Sequence, residues 1–275
     1  MCRMACKIVM LSCLLFAACA TSDDGKPVNF SLTAKQNYEK GLAELKDENY
    51  PEALRYFTYV KQKFPFSRYA ALAELAAADT EFARSAYQEA IDGYKSFLRL
   101  HPKHEKVEEG YVSFRIAEAY VKEMPDDWFL VPPSHEKDQS AVYDALRELN
   151  SLIDRYPNSK YLKPAREYRR AVLGRLIDHE VYVARFYLEH GHPKGAVLRI
   201  REALRRYPDS GRDAELLLTL GETQLEMGNP ASAKQTFLRV TLDNATAVEV
   251  HRAELFLAFI KRRFGDEPND ASPQG

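Results

Sequence analysis

Four prolines set the register of this chain. Pro65, Pro102, Pro157 and Pro208 each close a segment of one type, KQKFP, LRLHP, LIDRYP and LRRYP. Twelve residues before each proline stands an alanine: Ala53, Ala90, Ala145 and Ala196. Four residues after each alanine stands a large apolar side chain: Phe57, Tyr94, Leu149 and Ile200. Residues four apart share one face of a helix, an alanine there lets a neighbouring helix approach closely, and proline stops the helix. Apolar and small residues recur at helical spacing elsewhere too, while β-branched runs with strict alternation do not occur.

Small residue, large apolar residue, proline: at this spacing the pattern is the second helix and closing turn of a tetratricopeptide repeat. Gly41, 24 residues before Pro65, supplies the small residue that the first helix needs. A fifth unit has Leu220, Gly221, Ala233 and Phe237 at the same offsets, with Ala245 in place of the proline. The prolines are 37, 55 and 51 residues apart, against a nominal repeat of about 34. Extra structure therefore enters. One piece is Met124–Asp138, whose Pro125, Pro132 and Pro133 exclude helix interior and which carries Trp128, the only tryptophan. The other is a long first helix in the fourth unit, from Pro164 to about Glu189. The expected fold is all-α, a tetratricopeptide-repeat solenoid of about five helix-turn-helix units in a domain over 32–264. The repeats fall near 34–67, 71–104, 110–159, 164–210 and 214–245, followed by a capping helix over 246–264 and a disordered tail over 265–275.

The first 18 residues form an address. Arg3 and Lys7 precede an eleven-residue apolar run, residues 8–18, interrupted only by Ser12. That is a secretory signal, too short to span a bilayer. It ends in Leu15, Phe16, Ala17, Ala18 and Cys19, which resembles the lipobox of bacterial lipoproteins. The resemblance implies cleavage before Cys19 and acylation of its thiol. All four cysteines lie at or before position 19, so Cys19 has no pairing partner in the body. Several acyl chains exceed the two-signal threshold for stable anchoring. Ala20 and Thr21 follow where an aspartate would retain a lipoprotein at the inner membrane, so the expected location is the outer membrane, facing the periplasm. Residues 19–31 then form a lipidated, flexible tether.

The body offers little chemistry of its own. It lacks GxSxG, P-loop, GxGxxG and HExxH motifs. His101 and His104, and His190 and His192, flank turns where solvated histidine is the ordinary reading. Catalytic residues, cofactors and metals are not expected. Charge is more informative: without Arg3 and Lys7 the chain carries 37 basic and 40 acidic residues, net −3, which gives no long-range attraction to nucleic acid. Yet between Arg155 and Arg212 fourteen basic residues face six acidic ones. That surplus reads either as a solvated face or as a docking surface for an acidic partner, where arginine's fork pairs carboxylates bidentately.

Three features together resemble the BamD family, the outer-membrane lipoproteins of the β-barrel assembly machine. They are the lipobox, the insertion within the third repeat, and the closing segments Phe64-Pro65-Phe66-Ser67-Arg68-Tyr69, Tyr156-Pro157-Asn158-Ser159-Lys160-Tyr161 and Tyr207-Pro208-Asp209. The resemblance covers residues 19–264 and implies a non-enzymatic scaffold of five repeats. Its implied partners are the central barrel subunit, through that subunit's periplasmic domains, other assembly lipoproteins, and unfolded outer-membrane proteins. Carried onto this chain, the substrate would bind at Phe64, Pro65, Phe66 and Tyr69, and Arg199, with Arg205 and Arg206 of the basic stretch, would face the central subunit. An aromatic-lined groove suits targeting strands that end in aromatic residues. The family often has tyrosine where Phe64 stands, so any hydrogen bond from that hydroxyl is lost here. The rivals are other periplasmic repeat lipoproteins, a secretin pilotin or a coordinator of cell-wall synthesis with division. The first resembles a bare repeat array, and the second usually places a coiled coil before its repeats.

Overall fold

Each alanine of the pattern lies at a helix contact, and so does its partner four residues on. The computed structural model describes residues 29–124, 136–208, 210–242 and 245–270. Among them the regular structure is helical: α1 (Ala34–Lys46), α2 (Tyr50–Lys63), α3 (Arg68–Ala83), α4 (Tyr87–Leu100), the single turn α5 (Glu105–Glu108), α6 (Tyr111–Glu123), α7 (Ser140–Arg155), α8 (Leu162–Glu189), α9 (Pro193–Arg206), α10 (Asp213–Glu226), α11 (Pro230–Leu242) and α12 (Ala247–Phe264). The second helices of the five repeats are α2, α4, α7, α9 and α11. Their alanines Ala53, Ala90, Ala145, Ala196 and Ala233 are fully buried, as are Phe57, Tyr94, Leu149, Ile200 and Phe237. Helices α2, α4, α7 and α9 end on Phe64, His101, Tyr156 and Tyr207, one residue before each proline. The all-α tetratricopeptide-repeat fold is thus the observed one. Cys19 and residues 125–135, including Trp128, lie outside the described residues.

The chain divides into two units, one ending at Ala73 and one beginning at Glu74. In the first, α1 packs on α2. Asn37, fully buried, accepts from the Ser31 amide at 2.7 Å and donates to the Ser31 and Thr33 carbonyls at 2.8 Å, holding the segment before α1 in place. Phe30 in that segment stacks on Tyr59 of α2 at 4.0 Å. In the second unit α6 to α12 pack in sequence, each on the next, with α4 against α6 and a further contact of α6 with α8. Helix α8 runs 28 residues, which is the extra length expected of the fourth repeat. No described helix is long and apolar enough to cross a membrane.

Four intra-repeat turns share one geometry. Glu48, Ser85, Gly191 and Gly228 have φ between 60° and 74°. The amides of Asn49, Ala86, His192 and Asn229 then return to the carbonyls of Glu44, Glu81, Tyr187 and Gln224 at 2.8–2.9 Å. This is the 6→1 bond of a Schellman cap, which needs a left-handed residue. Past α12, residues 265–270 carry no regular structure, yet Pro268 is buried. Asp270 accepts from the Ser232 amide at 3.0 Å, at the start of α11.

Two glycines test the packing in opposite directions. A Cβ on Gly221 would lie 2.6 Å from the ring of Phe237, which is itself stacked on Phe256 at 4.8 Å and has little room to move. A Cβ on Gly174, inside α8, would meet nothing within 4 Å. Gly174→Ala is expected to stabilise by about 0.5–1 kcal/mol through helix propensity. Gly221→Ala carries the same propensity gain but an overpacking cost of about 1–3 kcal/mol, for a net loss. Thermal denaturation of the two variants should shift in opposite directions; a stabilised Gly221→Ala would contradict the packing argument.

Candidate binding surfaces

The turn between α2 and α3 places its four aromatic and proline positions in three different settings. Phe64 caps α2, is half-buried, and meets the edge of Tyr59 at 6.1 Å. Tyr69 in the first turn of α3 meets Tyr38 of α1 at 5.7 Å instead. Its hydroxyl accepts from Arg68, whose guanidinium lies 4.9 Å from the same ring. Pro65 and Phe66 form the tip, and Phe66 is fully exposed at 101%. Phe64 and Tyr69 belong to separate aromatic clusters, with Phe66 bare between them. An aromatic side chain so exposed has the shape of a binding anchor.

The arginines singled out on α9 have partners within the chain. Arg199 pairs at 3.4 Å with Glu180 of α8, which is only 3% exposed. Arg205 and Arg206 both bind Glu202, whose pKa is pulled down to about 2 by these two hydrogen bonds. Elsewhere in the basic stretch, Arg169 donates to Asn150 at 2.8 Å, and Arg212 bridges Asp178 and Glu215. Three of the four histidines beside turns are likewise engaged. His101 lies 2.7 Å from Glu74, and His104 accepts the Lys106 amide at the start of α5. The His190 ring meets the Phe186 carbonyl at 2.8 Å. Among the described residues no three His, Cys, Asp or Glu come together as a metal site.

The YPNSKY segment has a structural role that its sequence did not announce. It forms the turn from α7 to α8. Ser159 donates to the Glu109 carbonyl at 2.7 Å, Lys160 pairs with the Glu109 carboxylate at 3.4 Å, and Tyr161 stacks on Phe114 at 5.0 Å. Gly110 sits beneath it with φ +82°, where a Cβ would stand 3.1 Å from both Ser159 and Tyr156. The turn is thereby clamped onto the junction of α5 and α6.

One polar cluster carried no sequence signal. Asp79 of α3 accepts from the hydroxyls of Tyr94 at 2.6 Å and Tyr111 at 2.7 Å, and lies 3.8 Å from Arg115. Arg115 also pairs with Glu118 at 2.7 Å and covers the Phe82 ring at 3.6 Å. Glu118 in turn accepts from Tyr168 of α8 at 2.9 Å, and burial pushes that phenol up to about 12. Burial also raises the pKa of Asp79, against the pull of its two tyrosine donors and Arg115. Residues from α3, α4, α6 and α8 meet here, so no periodicity along any one helix could have marked it.

A family model described as outer membrane lipoprotein, YfiO, matches residues 31–238, from the segment before α1 into α11. The chain belongs to this family. It is 25% identical over 232 residues to the outer membrane protein assembly factor BamD of Neisseria meningitidis, covering 81% of this chain and 85% of that one. It is 26% identical over 232 residues to the protein of the same name from Caulobacter vibrioides, with 82% and 73% covered. For the Pasteurella multocida protein of that name the identity is 21% over 250 residues, covering 89% and 93%.

The cluster at Asp79 gives a pH test. Its pKa is raised in the fold, so the folded chain binds that proton more tightly than the unfolded chain. The stabilisation is complete below the ordinary aspartate value, about 3.9, and is lost as pH rises through the higher folded value. Asp79→Asn keeps an acceptor for both tyrosines but cannot titrate. The difference in melting temperature between variant and wild type should therefore move in the variant's favour from about pH 4 to pH 7. A difference that stays flat or moves the other way would refute the burial argument.

Proposed function

We propose that this chain is a non-enzymatic, lipid-anchored scaffold that helps assemble β-barrel proteins into the outer membrane from its periplasmic face. The observation that carries the reading is the family match over residues 31–238, together with relatives named as outer membrane protein assembly factors. In this reading Cys19 bears the lipid and the helical repeats hold partners rather than transform them. Phe66, exposed at the α2–α3 turn, takes an aromatic residue of an unfolded outer-membrane protein, with Pro65 beside it. Phe64 and Tyr69 support that turn from their two clusters. The C-terminal repeats dock the central barrel subunit. Arg205 and Arg206, at 71% and 51% exposure, present the outward face of the Glu202 triad. Arg199, at 44%, stands earlier on the same helix with its charge shared by Glu180.

Affinity purification of the tagged, lipidated protein from solubilised outer membranes, read by mass spectrometry, tests the central claim. The expected result is a large barrel protein with repeated periplasmic domains. A secretin or a division protein in its place would overturn the function and leave the fold untouched. Cys19→Ser is expected to release the protein from the membrane fraction; retention with a lipid label would refute the anchor. Phe66→Asp should weaken crosslinking to the C-terminal segment of an unfolded outer-membrane protein by about fivefold or more. Because Phe66 buries nothing, its thermal midpoint should stay at the wild-type value.

A further inference from the structure

We propose that the groove walled by α9 and α11 over α10 receives an acidic segment of a partner protein. This rests on the reading of the C-terminal repeats as a docking surface and assigns that surface a specific receptor. The cavity is about 450 Å³; among the described residues its lining contains no carboxylate, and its cations are Arg201, Arg205 and Arg239. Leu204 and the buried Leu220 supply apolar floor, and buried Gln224 supplies a polar side chain.

Helical spacing builds the two walls. Arg201, Leu204 and Arg205 follow one face of α9, and Ser232, Thr236 and Arg239 follow one face of α11. The arginines differ in what they already hold. Arg205 is bound to Glu202, whereas Arg201 and Arg239 are exposed and form no ion pair among the described residues. Their forks are open to bidentate pairing with carboxylates, which is arginine's strongest recognition mode.

One residue of the cavity wall already holds a carboxylate. Asp270, beyond α12, takes hydrogen bonds from the Ser232 amide at 3.0 Å and the Ser232 hydroxyl at 2.5 Å. Ser232 lines the same cavity. The chain's own acid is thus held by a residue of the cavity wall, and Arg201 and Arg239, which form no ion pair among the described residues, offer cations along the rest. The occupant that matches is a segment with two or more carboxylates and an apolar residue between them for Leu204 and Leu220. Complementary charge of this kind governs register and encounter rate.

The test uses the full lipidated chain in detergent and a fluorescein-labelled decapeptide of alternating glutamate and leucine, followed by anisotropy at low salt. Wild type is expected to bind. The double variant Arg201→Glu/Arg239→Glu should bind at least about tenfold more weakly. Arg166→Glu/Arg170→Glu on α8, with the same change in net charge, should stay within about twofold. Arg201→Gln/Arg239→Gln gives the same reading, a loss of at least about threefold, should charge reversal impair folding. Equal binding by wild type and groove variants would overturn the proposal, as would equal loss in the α8 control. So would binding to anionic phosphatidylglycerol vesicles with none to the peptide. The peptide needs no assembly partner, so its result stands apart from the mass-spectrometric test of the function.

Discussion

The fold depends on a ring seated where a side chain is missing. Phe57 fills the space over Gly41 and Phe237 the space over Gly221, each within its own unit, and a Cβ at either glycine would lie 2.6 Å from the ring. In both cases the ring comes sixteen residues after the glycine. A helix pair packed this closely needs its connecting turn to match, and the left-handed residue at Glu48 or Gly228 provides the match. The cost of that conformation, about 1–2 kcal/mol for a residue with a Cβ, falls on Glu48 and Ser85. At Gly191 and Gly228 it is absent. The same supersecondary unit is thus built with unequal local strain, and burial of the large residue offsets the difference.

The pattern of alanine, large residue and proline was readable because each member acts on its own helix or the next one. Ala145 and Leu149, or Ala196 and Ile200, are core in the structure for the reason their spacing suggests. The fate of the arginines was not readable in that way. Arg199 faces a buried glutamate nineteen residues upstream, and only the packing of α9 on α8 makes them neighbours. Phe66 is exposed while Phe64, two residues earlier, is half-buried. Both sit in a turn, where no period distinguishes inward from outward. The side chains of the YPNSKY segment hold a turn against Glu109 and Phe114, contacts that its own spacing does not foretell.

The Asp79 cluster shows what tandem repeats gain from a polar interior. Apolar stacking couples each helix to its neighbours, so stability in such arrays is close to a sum of local terms. Asp79, Tyr111, Arg115, Glu118 and Tyr168 join α3, α6 and α8 through hydrogen bonds with fixed geometry. Two carboxylates flank a single guanidinium, which leaves one negative charge to be borne in a half-buried site. That arrangement adds little net stability, since desolvation opposes the pairing. What it restricts is the register of three helices relative to one another.

Basic surplus alone is a poor guide to where a partner binds. Of the arginines between Arg155 and Arg212, those at 199, 205, 206 and 212 spend their hydrogen bonds on glutamates and aspartates of the same chain. A carboxylate arriving from outside would have to displace one already in place, and exposed exchanges of that kind yield little free energy. Arg201 stands on the same helix face as Arg205 but carries no such partner among the described residues. In the proposed docking surface, the arginines already paired within the chain and those without a carboxylate among the described residues therefore differ in what an arriving acid must displace.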